Sequence, residues 1–220
     1  MTMATFTAAG RPHEGYLALP PSGAGNGVLV LHAWWGLNDF FKSLCDRLAS
    51  QGFVAFAPDL YGDGTTAATI ETAQQKLDAF DDQQGAVIAQ GAADYLHSHP
   101  AVNRQPIRVM GFSMGAAWAT YLSAARPEAV TAVVIFYGAS EANFAAAQAT
   151  YLAHFGEDDE WESMEYVRQM ETAIRAAGRD LTLYTYPGAG HWFFESNRPG
   201  DYQPEAAALA WQRTLAFLRS

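Results

Sequence analysis

Seven short apolar runs punctuate the chain: Tyr16–Leu19, Gly27–Ala33, Phe53–Ala57, Ile107–Gly111, Thr131–Tyr137, Thr150–Phe155 and Leu181–Tyr186. Most are continuous rather than alternating. A strand with one wet face alternates polar and apolar residues, whereas a run without polar positions must be covered on both faces. Between the runs lie segments with helical spacing: Asp39–Ser50, Ile70–Ala79, Gln83–His97, Met114–Ala125, Glu162–Ala177 and Pro204–Arg219. This alternation of strand and helix predicts an α/β fold, a mostly parallel central sheet with helices on both faces. Right-handed crossovers then place ligand sites at the carboxyl ends of the strands. The 220 residues suit a single domain, 1–220. Ala67–Ala79 and Ala139–Thr150 follow strand ends and are the segments expected to form a loop or lid over such a site.

Composition narrows the function. Half of the residues are hydrophobic and 13% aromatic, which excludes a disordered chain. Acids outnumber bases 23 to 13, for a net charge of −10, and Lys42 and Lys76 are the only lysines. Such a chain repels polyphosphate and anionic lipid, so neither nucleic acid nor a membrane is an expected partner. The single cysteine, Cys45, excludes a disulfide framework or a CxxC metal site. It shares a helical face with Phe41, Leu44 and Leu48 and reads as a buried thiol. The segment 1–15 has no apolar core of a signal peptide and no run reaches a membrane span, so a cytoplasmic protein is expected, as monomer or homodimer.

The sharpest motif is Gly111-Phe112-Ser113-Met114-Gly115, a G-x-S-x-G that ends the strand IRVM and opens the helix MGAAWATYLSAA. That context is the one a nucleophile elbow requires. The turn is so tight that the positions two before and two after the serine must lack side chains. The competing reading is a tight turn with Ser113 as a helix cap.

A serine hydroxyl needs a base to take its proton, and the base needs an orienting acid. Gly156-Glu157-Asp158-Asp159 follows the strand TYLAHF, and Gly188-Ala189-Gly190-His191 follows LTLYTY. Both lie on the rim predicted for Ser113, in the chain order Ser, Asp, His of α/β-hydrolases. His191 is the candidate base. Asp158 and Asp159 compete for the acid, with Asp159 preferred. His154, inside a strand, reads as a core residue, and His97 with His99 lacks a third metal ligand. An acyl oxyanion needs two backbone donors. Met114 N–H at the elbow is one, and Trp34 N–H, in the turn His32-Ala33-Trp34-Trp35-Gly36, is the other.

Five segments together resemble the dienelactone hydrolase family: LHAWWGLN (31–38), FVAFAPDLYG (53–62), GFSMGA (111–116), HFGEDDEW (154–161) and PGAGHWF (187–193). The resemblance spans roughly residues 13–219. It implies an eight-stranded α/β-hydrolase core, reduced at the N-terminus, with the acid at Asp159, the base at His191 and oxyanion donors at Trp34 and Met114. Three departures stand out. Ser113 occupies the position of the family's nucleophilic cysteine. Ala33 replaces the glutamate that handles the thiol's proton. Glu195 lies where the family carries a carboxylate-binding arginine, and a second such arginine is missing near Ile70; Arg198 is the cation that could reach in. The first two agree with each other, because a serine served directly by histidine needs no such carboxylate. The third argues against an anionic lactone.

The residues therefore point to a serine hydrolase of carboxylic esters, lactones or thioesters that needs no metal or organic cofactor. Trp34, Trp35, Trp161, Trp192, Phe193 and Phe194 flank the triad in sequence. Of these, Trp35, Trp161, Trp192 and Phe193 are the candidates for binding a small neutral apolar or aryl ester. The alternatives are a dienelactone-type lactonase with a serine nucleophile, or a non-catalytic small-molecule-binding protein on a hydrolase fold.

Overall fold

A computed structural model describes residues 2–220. Eight strands form one sheet in the order β1-β2-β4-β3-β5-β6-β7-β8. The strands are β1 (Thr2–Ala8), β2 (Arg11–Ala18), β3 (Gly27–Leu31), β4 (Val54–Pro58), β5 (Ile107–Phe112), β6 (Val130–Phe136), β7 (Thr150–Gly156) and β8 (Leu181–Tyr186). β1 and β2 form an antiparallel hairpin, β2 joins β4 antiparallel, and β3 to β8 run parallel. The helices are α1 (Asp39–Ser50), α2 (Ile70–Asp78), α3 (Asp82–Ser98), α4 (Met114–Ala125), α5 (Met164–Ala176) and α6 (Pro204–Arg219).

Two cores fill the space above and below the sheet. Along β3, Leu29 and Leu31 point to the core that α3, α4 and α5 close through Ile88, Leu96, Ala119, Leu122, Met170 and Ile174. Val28 and Val30 point to the opposite core, closed by Phe41, Leu44 and Leu48 of α1 and Ala210 and Leu218 of α6. All five β3 residues are buried, which is why the run carries no polar position. Cys45 is fully buried in the second core, and desolvation pushes its thiol pKa up.

The expectation of a core reduced at the N-terminus is corrected: all eight strands are present. β1 escaped sequence reading because it is an edge strand. Its residues, TMATFTA, bury only Phe6 and Ala8, so it lacks the continuous apolar run of an inner strand. The expected strand at Tyr16–Leu19 begins earlier, at Arg11, for the same reason: the hairpin partner rather than apolarity sets its extent. No helix among the described residues is long and apolar enough to cross a membrane.

Candidate active site

Ser113 stands between β5 and α4 with φ 50° and ψ −115°, a backbone state that a non-glycine residue adopts only when its surroundings impose it. Those surroundings are close-packed. A Cβ on Gly115 would overlap the Leu31 and His32 carbonyls, and one on Gly111 would overlap the Gly115 carbonyl. The Ser113 N–H donates to Phe136 O at 2.9 Å, and the Ala116 N–H donates to Ser113 O at 2.8 Å. The serine side chain makes no capping hydrogen bond to α4. Its Oγ lies 2.9 Å from His191 Nε2 instead.

His191 Nδ1 faces Asp159, 2.8 Å from Oδ2 and 3.0 Å from Oδ1. The Asp159 carboxylate is nearly buried and itself held: Oδ1 accepts from Trp161 N–H at 2.8 Å and Glu162 N–H at 2.9 Å. Asp158 is exposed, and its N–H donates to Ala189 O, fixing the histidine loop through backbone alone. The geometry thus separates the two aspartates. With Asp159 ionised, Nδ1 carries the ring proton and Nε2 is left as acceptor for the serine hydroxyl.

The turn after β3 is tied from several sides. Tyr61 Oη donates to Trp34 O at 2.9 Å. The neutral His32 ring donates from Nδ1 to Ala33 O at 2.7 Å and accepts the Leu60 N–H at Nε2, 3.0 Å away. Burial pushes the His32 pKa down, which favours this neutral tautomer. Neither Trp34 N–H nor Met114 N–H donates to an acceptor among the described residues, so both remain available to a ligand oxygen.

Around Ser113 lies a cleft of about 310 Å³, lined by Trp34, Gln74, Leu77, Met114, Ala117, Gly138, Ala139, Trp161, Glu162, His191 and Trp192. A larger hollow of about 480 Å³ opens between β1 and α3 but holds no nucleophile and base. Of the four aromatic residues expected to bind substrate, Trp161 and Trp192 line the cleft. Trp35 and Phe193 do not. Trp35 is buried beneath the Arg198 guanidinium, and Phe193 is buried against Tyr186 and Tyr137. Phe194, too, packs inward, 4.5 Å from the Phe136 ring. Neighbouring residues in a loop point opposite ways, and nearness in sequence to Ser113, Asp159 or His191 does not say which.

Glu162 is not among the candidate site residues of the sequence, whose spacing puts it at the start of the helix Glu162–Ala177. It sits in the turn before α5, and its Oε2 accepts the Ala139 N–H at 2.7 Å. Burial pushes its pKa up. The available signal was the spacing Asp159-x-x-Glu162, since the Asp159 side chain that accepts two downstream N–H groups also fixes where Glu162 points. The helix expected at Ile70–Ala79 is α2, and from within the segment Ala67–Ala79 expected to flank the site it supplies Gln74 and Leu77 to the cleft.

Glu195 requires a correction. It does not put an anion in the cleft. It is fully buried, accepts a hydrogen bond from Tyr137 Oη at 2.9 Å, and leaves Oε2 without a partner. Desolvation pushes its pKa up to about 8. Arg198 does not line the cleft either: it pairs with Asp201 and lies 3.9 Å over the Trp35 ring and 4.3 Å over that of Trp192. His154 is a buried core residue between Tyr186 Oη and Thr214 Oγ1, its pKa pushed down to about 3 by desolvation. His97 and His99 bond to backbone, and no cluster of three or more metal-ligating side chains occurs among the described residues.

Residues 13–220 match the profile of the dienelactone hydrolase family. The chain belongs to the dienelactone hydrolase family. It is thereby a hydrolase on the α/β-hydrolase fold. Protein usf of Aquifex pyrophilus is 32% identical over 226 residues, covering 99% of this chain and 97% of that protein. The crystal structure of a dienelactone hydrolase-like promiscuous phosphotriesterase from metagenomic libraries superposes with a TM-score of 0.87 at 25% identity, covering 99% of this chain and 96% of that one. A dienelactone hydrolase from Anabaena variabilis shares the fold at a TM-score of 0.70 and 22% identity, covering 99% and 96%.

Proposed function

We propose that this family member hydrolyses small carboxylic esters with apolar or aryl groups through an acyl-enzyme on Ser113. The observation that carries the reading is the unbroken relay from Ser113 Oγ to His191 Nε2 at 2.9 Å and from His191 Nδ1 to Asp159 Oδ2 at 2.8 Å. Ser113 Oγ attacks the ester carbonyl carbon while its proton passes to His191 Nε2. Asp159 holds the ring orientation and stabilises the imidazolium. Trp34 and Met114 N–H groups receive the oxyanion. The intermediate collapses, the C–O bond to the alcohol breaks, and His191 returns the proton to the leaving oxygen. Water, deprotonated by the same ring, then attacks the acyl carbon; the bond from that carbon to Ser113 Oγ breaks, His191 returns the proton to Oγ, and the acid leaves. Met114 and Trp34 are backbone donors, so side-chain exchange at either would test packing rather than this role.

Ala33 fits a serine nucleophile, because no second carboxylate is needed to manage a thiol proton. The absence of Arg and Lys from the cleft lining disfavours an anionic lactone such as a dienelactone. The test is labelling with a fluorophosphonate probe, read by peptide mass spectrometry, alongside turnover of p-nitrophenyl acetate. The expected result is a label on Ser113 that is lost in His191→Ala. A folded wild-type protein that neither labels nor turns over the ester refutes the reading.

A further inference from the structure

The cleft beside Ser113 combines two things that recognise one kind of group. Three indoles, Trp34, Trp161 and Trp192, contact one another with ring centroids 5.3 Å apart for Trp34 and Trp161, 5.3 Å for Trp161 and Trp192, and 6.1 Å for Trp34 and Trp192. All three line the cleft, and Glu162 lines it with them. Its Oε2 is anchored by the Ala139 N–H. Trp161 is the most exposed large hydrophobic residue described, 51% accessible. The loop that carries it reads Glu157-Asp158-Asp159-Glu160-Trp161-Glu162, five carboxylates in six residues.

Indole faces attract cations through the ring quadrupole, most strongly where water is displaced. A fixed carboxylate at the same wall supplies the opposite charge, and an acidic rim raises the local concentration of cations. Trp192 already carries the Arg198 guanidinium 4.3 Å from its ring centroid, outside the cleft lining, so the faces left for a ligand cation are those of Trp34 and Trp161. Glu162 serves the fold by accepting the Ala139 N–H, and at the cleft wall it would repel an anionic substrate.

We propose that the preferred substrates are esters bearing an ammonium group, quaternary or protonated, that seats against Trp34, Trp161 and Glu162 while the ester carbonyl faces Ser113. This rests on the ester-hydrolase reading above and specifies its substrate class. Neutral esters of the same shape remain substrates, only poorer ones.

Acetylcholine and 3,3-dimethylbutyl acetate test it, since they differ by a quaternary nitrogen against a quaternary carbon. The expected kcat/KM favours the cationic ester by about tenfold or more, a preference that shrinks as ionic strength rises. Glu162→Gln, which keeps an oxygen for the Ala139 N–H, reduces the cation-to-isostere ratio by about tenfold. The surface change Trp161→Leu reduces it as well. A binding measurement independent of turnover accompanies these: quenching of tryptophan fluorescence by choline against 3,3-dimethylbutan-1-ol. Equal or better handling of the neutral partner, in both turnover and binding by the wild type, overturns the proposal. Selective choline binding in a protein that neither labels at Ser113 nor hydrolyses any of the esters upholds the cation site and overturns the hydrolase reading beneath it.

Discussion

Replacing Glu195 by glutamine should change how stability depends on pH. In the folded chain the Glu195 carboxyl has no exposure, one hydrogen bond from Tyr137 Oη and a second oxygen with no partner. Desolvation there disfavours the carboxylate and moves the pKa from 4.5 to about 8. The sign follows from proton counting. Between those two values the folded chain holds a proton that the unfolded chain has released, so the stability of the fold falls as pH rises. The slope is about 1.4 kcal/mol per pH unit, and across the window the loss reaches about 4–5 kcal/mol for one group. His154 acts in the opposite sense. Its pKa is lowered from 6.5 to about 3, so its contribution is lost as pH falls through that range. The two slopes oppose each other between pH 4.5 and 6.5, and the absolute profile of the wild type hides Glu195 there.

The difference between Glu195→Gln and wild type does not hide it, because every other group is common to both. Glutamine keeps the acceptor for Tyr137 and adds an N–H pair at the unpartnered oxygen, a cost that is constant with pH. Urea unfolding at pH 5, 6, 7 and 8 should therefore show the variant gaining on the wild type with each step, by several kcal/mol in all. For a chain of this size that amounts to roughly 10 °C in Tm across the series. A difference that stays level within about 0.5 kcal/mol from pH 5 to pH 8 would show that Glu195 is ionised in its buried site, and the argument from desolvation would be wrong.

Two further changes probe the machinery around Ser113. Tyr61→Phe removes the hydroxyl that holds the Trp34 carbonyl at 2.9 Å, so the turn proposed to receive the oxyanion should lose definition; kcat on p-nitrophenyl acetate should fall about tenfold with KM little changed, and an unaltered kcat would remove Tyr61 from the account. Gly115→Ala drives a methyl into the Leu31 and His32 carbonyls, which are backbone and cannot swing away; the expected cost is about 3 kcal/mol or more, read as a clear drop in Tm, and a Tm within about 2 °C of wild type would contradict the packing described for the elbow.

Much of this protein is legible in its sequence because the constraints are local. A strand buried on both faces leaves little room for polar positions, so the runs Gly27–Ala33 and Thr131–Tyr137 read as inner strands of a parallel sheet; they are β3 and β6, all buried except Thr131 at the start of β6. A turn that leaves no room for side chains at two positions must use glycine there, so Gly111 and Gly115 marked Ser113. A histidine in a glycine-rich loop at a strand end has no core to fill, and His191 does meet Ser113. What tertiary structure alone decided is where side chains without periodic constraint point. Edge strand β1 derives its place from pairing with β2, not from its own apolarity. Asp159 rather than Asp158 meets His191 because the backbone of Asp158 is used to hold the histidine loop. Trp34 and Trp192 reach the cleft while Trp35 and Phe193, their neighbours, turn into the core, since a loop has no repeat from which facing can be counted. Glu195 was an anion in sequence and is a buried acid in the fold, because the charge of a carboxyl is set by the water and partners around it, and those are assembled only when the chain closes.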